Sequence, residues 1–264
     1  LNREELIDGD GFEQIAKELG IVYCEGIGIN NSLDNKFVMY HNGDGCILPS
    51  GLIRKPMNED RFYDLHWDTI PDKLKMMFSQ NVGVDDERIV CLPIGLERSR
   101  WFRNLDKHGK ILDMMRLQPQ RDKLIFLNIN PHTNLFSRPP LIEAMKDNVW
   151  CTIDNRPNGA DYNEYLHKMK EHKFVFSPEG NGLDCHRTWE ALYMGAYPVM
   201  ERNVFAETFA KELPILIVDK WEDVTEEFLN EQYEIINNTE WNWDMMKLSY
   251  WKDFISNTIN NLRE

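Results

Sequence analysis

The scarcities of this chain narrow the field first. It has no Cys-x-x-Cys pair, and its five cysteines in 264 residues are scattered, at Cys24, Cys46, Cys91, Cys151 and Cys185. An odd, widely spaced set argues against a disulfide framework and against a zinc site, and fits a reducing, cytosol-like compartment. No apolar run reaches the roughly 18 residues of a membrane span. The common glycine-rich phosphate loops are missing: no GK[ST] follows a glycine run, and GxGxxG does not occur. No Asp-x-Asp stands at the end of a predicted strand, and Asp85-Asp86 lies in a polar turn, so no essential metal is expected. Internal repeats and low-complexity tracts are absent. Positive charge is scarce, with 30 Lys and Arg against 44 Asp and Glu, a formal net charge of -14. Such a surface repels duplex nucleic acid and anionic lipid over most of its area, and neither is an expected partner. The first residue is Leu rather than Met; the expected location is cytoplasmic, with a trimmed N-terminal targeting segment left open.

What is present describes a globular α/β chain. Hydrophobic residues make up 42% and charged residues 28%, with 8 Trp and 13 Phe for a core. Residues 12–20 read as a short helix stopped by Gly20. IVYCEGIGI and KFVMYHNGDGCIL read as strands with turns. IPDKLKMMFSQN (70–81) is expected to be a helix with Pro71 in its first turn, and ERIVCLPIGL a buried strand. The polar stretch 103–121 lacks a strong period and marks a boundary, giving domains at 1–118 and 119–264. A second series then alternates: strand 124–129, helix 138–146, strand 149–153, helix 163–172, strand 174–177, helix 186–194, strand 197–200 and strand 214–218. That is a βαβ series suited to a parallel sheet. Residues 241–262 read as one long helix whose face of Tyr250, Trp251, Phe254, Ile255, Ile259 and Leu262 serves packing.

The densest signal is FVFSPEGNGLDCHRTWEALYMGAYPVM (174–200). Ligands of open α/β sheets bind beyond the carboxyl ends of the strands, so the loop after the strand 174–177 occupies the ligand position. Gly180 and Gly182 would admit a close approach or an unusual backbone. The following helix offers unpaired N–H groups to an anion, and Arg187 adds a forked cation suited to phosphate. Glu190 shares a helix face with Arg187, and a carboxylate there can accept from the hydroxyls of a ribose. Asp184 as a simple N-cap and Arg187–Glu190 as a surface pair are the alternative account.

SPEGNGLDCHRTWEALYMGAYPVM resembles the donor-binding segment of GT-B-fold glycosyltransferases, exostosin-like ones in particular, and fucosyltransferases of this fold have a related segment. FVMYHNGDG (37–45), MFSQNV (77–82), LPIGLERSRW (92–101) and LNINPHTNLFSR (127–138) fit the same resemblance, which therefore covers most of the chain. It implies two Rossmann-like domains facing across a cleft, an acceptor side at 1–118, a nucleotide-sugar side at 119–264, and a C-terminal helix packing back across both. It further implies Arg187 on the diphosphate and Glu190 on the ribose. The donor surroundings would be Glu179, Gly180, Asn181, Gly182, Asp184 and His186.

Other residues are candidates for the same chemistry. Asn130, Thr133 and Arg138 follow the strand that opens the second series and would lie near the leaving diphosphate, though Asn-rich loops are also turn formers. Inverting transfer needs a base for the acceptor hydroxyl; Asp44 and His41 in HNGDG are the candidates, against a plain β-turn. The expected function is a glycosyltransferase moving a sugar from a UDP- or GDP-linked donor to a hydroxyl of a glycan or glycoprotein acceptor, inverting and metal-independent, with no cofactor beyond the nucleotide sugar. A DNA-modifying glucosyltransferase and a non-catalytic nucleotide-sugar or glycan-binding module are the alternatives.

Overall fold

The computed structural model describes residues 1–25, 35–41, 46–49, 65–67, 70–99, 106–118, 120–156 and 161–263. Among them the chain is α/β with parallel sheets and eight α-helices, compatible with a Rossmann-like fold. The first half opens with α1 (Gly9–Leu19), capped by Asp8, whose carboxylate accepts from Gly11 N at 2.7 Å. As the sequence implies, Gly20 ends it in the left-handed region, at φ 65°. Four parallel strands follow in the order β1-β2-β5-β6: β1 Val22–Glu25, β2 Phe37–His41, β5 Met76–Ser79 and β6 Ile89–Cys91. A small parallel pair, β3 (Ile47–Leu48) and β4 (Leu65–His66), stands beside them.

Two readings of this half are corrected. Residues 76–79, expected within a helix, form β5, all of it buried. A short buried apolar run carries no period that separates a strand flanked on both sides from a core helix; Pro71 sits in the turn before it. The stretch 103–121, read as aperiodic, contains α2 (Lys107–Arg116), whose buried side is His108, Ile111 and Met114. Its polar residues fill the remaining sides, and that masked the stripe.

The second half has five parallel strands in the order β11-β10-β9-β7-β8. They are β7 Lys123–Leu127, β8 Cys151–Ile153, β9 His172–Phe176, β10 Tyr197–Glu201 and β11 Leu216–Val218. The helices α3 (Arg138–Met145), α4 (Tyr162–Glu171) and α5 (His186–Met194) lie where the sequence puts them, and α6 (Val204–Phe209) and α7 (Glu226–Asn237) add to them. The expected single C-terminal helix is broken. A 3-10 turn at Trp243–Met246 precedes α8 (Leu248–Arg263), and Lys247 at the join is extended.

One hydrophobic cluster runs from α1 and the β2 and β5 residues Met39, Met76 and Phe78 to Phe126, Val175, Trp189 and Trp251. It draws residues from both halves of the chain. A second cluster covers the other face of the five-stranded sheet with Leu141, Phe174, Phe176 and Trp221. α8 returns to the start of the chain: Trp251 meets Phe12 edge-on at 6.4 Å, and Lys252 pairs with Glu18 at 2.7 Å.

Candidate functional site

Strand order decides where a ligand can enter. In the five-stranded sheet the order reverses between β7 and β9. The loop after β7 leads to α3 and the loop after β9 to α5, and beyond the strand ends at such a switch point open α/β sheets bind their ligands. Arg138 and Arg187 come from these two loops, one at the first residue of α3, the other at the second of α5.

Arg138 is buried, at 6% exposure. Its Nε donates to the Glu179 carbonyl at 3.0 Å and its Nη1 to the Asn130 carbonyl at 3.1 Å, spanning both loops. Asn134 adds a third tie, from Nδ2 to the Gly180 carbonyl at 3.0 Å. Burial pushes the Arg138 guanidinium down to about 10, and the charge of Arg187 acts in the same direction. Arg187 has a buried Nε with no protein partner. Neither arginine has a salt bridge to a carboxylate among the described residues. The N-caps of both helices, Ser137 and Cys185, make no side-chain cap hydrogen bond. Two neighbouring cations thus stand beside the uncapped start of α5, an attraction for an anion; the start of α3 adds no free N–H, because Pro139 and Pro140 have none and Arg138 N donates to the Asn134 carbonyl at 3.1 Å.

Glu190, at 6% exposure, points between α5 and α4. Its Oε1 accepts from Tyr162 Oη at 2.7 Å and its Oε2 from Tyr165 Oη at 2.9 Å. Both carboxylate oxygens expected to meet a ribose therefore hold tyrosine hydroxyls. Burial first, and the Glu190 charge second, hold both tyrosines well above their usual range, so they stay protonated donors. These tyrosines escaped the sequence reading because nothing in the pattern ties 162 and 165 to 190.

The loop 177–186 is anchored to the first half. Asp184, 2% exposed, accepts from Ile94 N at 2.8 Å and Trp189 Nε1 at 2.8 Å. Its own N–H donates to Asn81 Oδ1 at 2.8 Å. Burial pushes the Asp184 carboxyl up to about 7 against those hydrogen bonds. His186 Nδ1 lies 2.7 Å from the Gly95 carbonyl, which fixes Nδ1 as the protonated nitrogen and leaves the lone pair on Nε2. Gly182 serves this junction: a Cβ there would stand 2.5 Å from Asn81 Oδ1. A Cβ on Gly180 would stand 3.0 Å from Arg138 Nη2, with Thr133 Cγ2 at 3.8 Å. Neither glycine has a positive φ, so space, not unusual backbone, is what they supply. Asn130 Oδ1 caps its own turn through His132 N, and Glu179 Oε1 accepts from Asn203. Asn181 is half-buried between the two glycines.

In the first half, the carboxyl ends of β1 and β2 carry Glu25 and His41. His41 Nδ1 is bonded to Gln80 Oε1. Burial, then the charge of Arg98, pushes His41 down to about 4, and His186 is close enough to add to the effect. His41 and His186 are thus gathered at one junction although 145 residues separate them in the chain (186 − 41). Arg98 donates to Glu25 at 2.7 Å and to Tyr23 Oη. Asp44 lies outside the described residues. Among the described residues no group of three or more His, Cys, Asp or Glu is arranged to hold a metal ion, and no helix is long and apolar enough to cross a membrane. The chain matches no protein-family model and no curated protein sequence.

Proposed function

We propose that this protein is a glycosyltransferase that takes a sugar from a nucleoside-diphosphate donor and passes it to a hydroxyl of a glycan, in a two-domain arrangement of the GT-B kind. The observation that carries the reading is the Arg138–Arg187 pair at the switch point between β7 and β9, without salt-bridge partners among the described residues and with the uncapped start of α5 beside it. A diphosphate supplies the missing negative charge. That charge grows as the bond to the sugar breaks, so cations held in advance favour the transition state over the ground state.

The likeness of residues 174–200 to donor-binding segments supports the same reading. His186, next to Arg187 at the start of α5, and His41, near enough to feel its charge, are the histidines on hand for an acceptor. A histidine with its lone pair on Nε2 can take the acceptor proton, and Asp44, in the same HNGDG stretch as His41, is the other base. Glu190 accepts one tyrosine hydroxyl on each oxygen and keeps a further lone pair on each for a ribose hydroxyl. The primary assignment at this site is to the diphosphate.

Thermal unfolding with UDP, GDP, ADP, CMP and dTDP tests the proposal. A diphosphate nucleotide at a hundredfold excess over its dissociation constant should stabilise the fold by about 2.7 kcal/mol, and Arg187→Ala should abolish the shift. No shift with any nucleotide at millimolar concentration would overturn it. Where a donor binds, product formation with a panel of glycan acceptors separates a transferase from a binding module. Turnover is expected to persist in EDTA; loss restored by Mn²⁺ would overturn the metal-independent form of the proposal.

A further inference from the structure

We infer that Gln80 is a positioning residue: by accepting from His41 Nδ1 it holds the His41 ring as the neutral tautomer that presents its Nε2 lone pair to an acceptor hydroxyl. This rests on the reading of the protein as a glycosyltransferase with His41 as a base.

The contact follows from strand register. β1, β2 and β5 are parallel neighbours, with Glu25 opposite His41 and Tyr40 opposite Ser79. Ser79 Oγ locks the second pair by donating to the Tyr40 carbonyl at 2.9 Å. The next pair in that register is His41 and Gln80, at the carboxyl ends of their strands, where open α/β sheets bind ligands. Gln80 is buried, at 2% exposure, and its Oε1 meets His41 Nδ1. Asn81 follows it, the only non-glycine with a left-handed backbone among the described residues. Backbone strain held by buried contacts clusters at functional sites. Asn81 Oδ1 accepts from Asp184 N at 2.8 Å, two residues before α5 begins. Consecutive side chains thus tie β5 to His41 on one side and to the loop that leads to Arg187 on the other.

The chemistry of the pair decides the tautomer. An amide oxygen only accepts, so the proton sits on Nδ1 and the neutral ring carries its lone pair on Nε2. Among the described residues no hydrogen bond reaches Nε2. Burial first, then the Arg98 charge, push His41 down to about 4; His186 adds to this, and Gln80 and Glu25 oppose it. Glu25, the carboxylate in register with His41, is drawn off by Arg98 at 2.7 Å and by the Tyr23 hydroxyl at 3.1 Å. An amide at 80 therefore orients the ring without charging it, whereas a carboxylate there would do both.

Two variants of the full chain test this. Gln80→Met keeps the side-chain length and removes the oxygen; Gln80→Glu keeps the oxygen and adds a charge. Nitrogen-15 NMR of the histidine rings should show His41 with its proton on Nδ1 in wild type and in Gln80→Glu, and a shift towards Nε2–H in Gln80→Met. With the nucleotide sugar whose nucleotide stabilises the fold, and a glycan acceptor, Gln80→Met should lower kcat about tenfold, the size of one hydrogen bond. The donor KM should not change. Gln80→Glu should raise the His41 pKa in an NMR titration and carry the acid limb of the kcat profile with it. A wild-type ring with its proton on Nε2, a Gln80→Met ring that keeps its proton on Nδ1, or wild-type kcat in Gln80→Met would each overturn the positioning role. A wild-type chain that transfers no sugar would overturn the proposed function and the base with it; the ring spectra need no substrate, so they tell that failure from a Gln80 that does not hold His41.

Discussion

Gly182→Ala probes the join between the two halves, and its cost can be worked from distances. The new Cβ would stand 2.5 Å from Asn81 Oδ1 and 2.6 Å from both Asn81 Cγ and Nδ2. Real contacts of that kind begin near 3.4 Å, so Asn81 must move. It cannot do so cheaply. Asn81 is fully buried, at 0%, its backbone is in the left-handed region at φ 53°, and its Oδ1 is the acceptor for Asp184 N. Overpacking a rigid site costs about 1–3 kcal/mol, and leaving the Asp184 N–H buried without a partner costs about 1–3 kcal/mol more; a total of about 3 kcal/mol is expected. Asn81→Ala alone loses the same hydrogen bond and puts Ala in a left-handed backbone, for about 2 kcal/mol. In the double variant the alanine at 182 enters space that Asn81 has vacated, and the hydrogen bond is lost once rather than twice. The double variant should therefore be destabilised by about 2 kcal/mol, as Asn81→Ala is, not by the sum of about 5, a coupling of about 3 kcal/mol. Urea denaturation of the four proteins, with unchanged m-values, gives the cycle. Additivity within about 0.5 kcal/mol would refute the claim that Gly182 exists to admit Asn81.

Gly95→Ala should be the more damaging glycine substitution, by roughly 3–5 kcal/mol, because its φ is 66° and a Cβ would lie 2.3 Å from the Ile7 carbonyl oxygen, which is backbone; a loss under 1 kcal/mol in urea denaturation would contradict this. Trp251→Ala should cost about 3–5 kcal/mol by opening the contact of α8 with Phe12 and Phe209, read as a lower urea midpoint. His41 and Asp184 should give pH dependences of opposite sign. His41 binds its proton near pH 4 when folded and near 6.5 when unfolded, so its contribution is lost as pH falls through that window. Asp184 holds its proton up to about pH 7 when folded, against about 4 unfolded, so stability falls as pH rises between those values. Measured against wild type from pH 4 to 7, His41→Gln should make stability fall more steeply with rising pH and Asp184→Asn should make it rise, each by at most about 1.4 kcal/mol per unit; same-sign differences would refute the assignment.

Much of the second half was legible because its elements carry local signals. The helix His186–Met194 ends at Gly195, in the left-handed region at φ 74°, and lies between strands that read as apolar runs. Trp189, Leu192, Tyr193 and Ala196 of this segment are all buried. Arg138 and Arg187 were both legible as cations at strand ends, 49 residues apart (187 − 138). Local signals failed where tertiary burial overrides them. The residues Met76–Ser79 are a strand because layers cover both of its faces, and no four-residue string encodes that. Lys247 interrupts the C-terminal helix so that Met245 and Met246 can be buried ahead of Trp251, a packing demand invisible to helical spacing.

The sequence alone determined the classes: α/β, acidic, a glycine-flanked loop followed by a helix with Arg187 and Glu190. Tertiary structure decided what those residues touch. Strand order put Arg138 beside Arg187, and hydrogen bonding over long sequence separations turned Asp184 and Gly182 toward Asn81 and Ile94, and Glu190 toward Tyr162 and Tyr165. The physical reason is range. Helix stops, caps and turns are settled within a few residues of backbone, whereas the partner of a buried polar group is whichever donor or acceptor the packing of distant elements brings within about 3 Å.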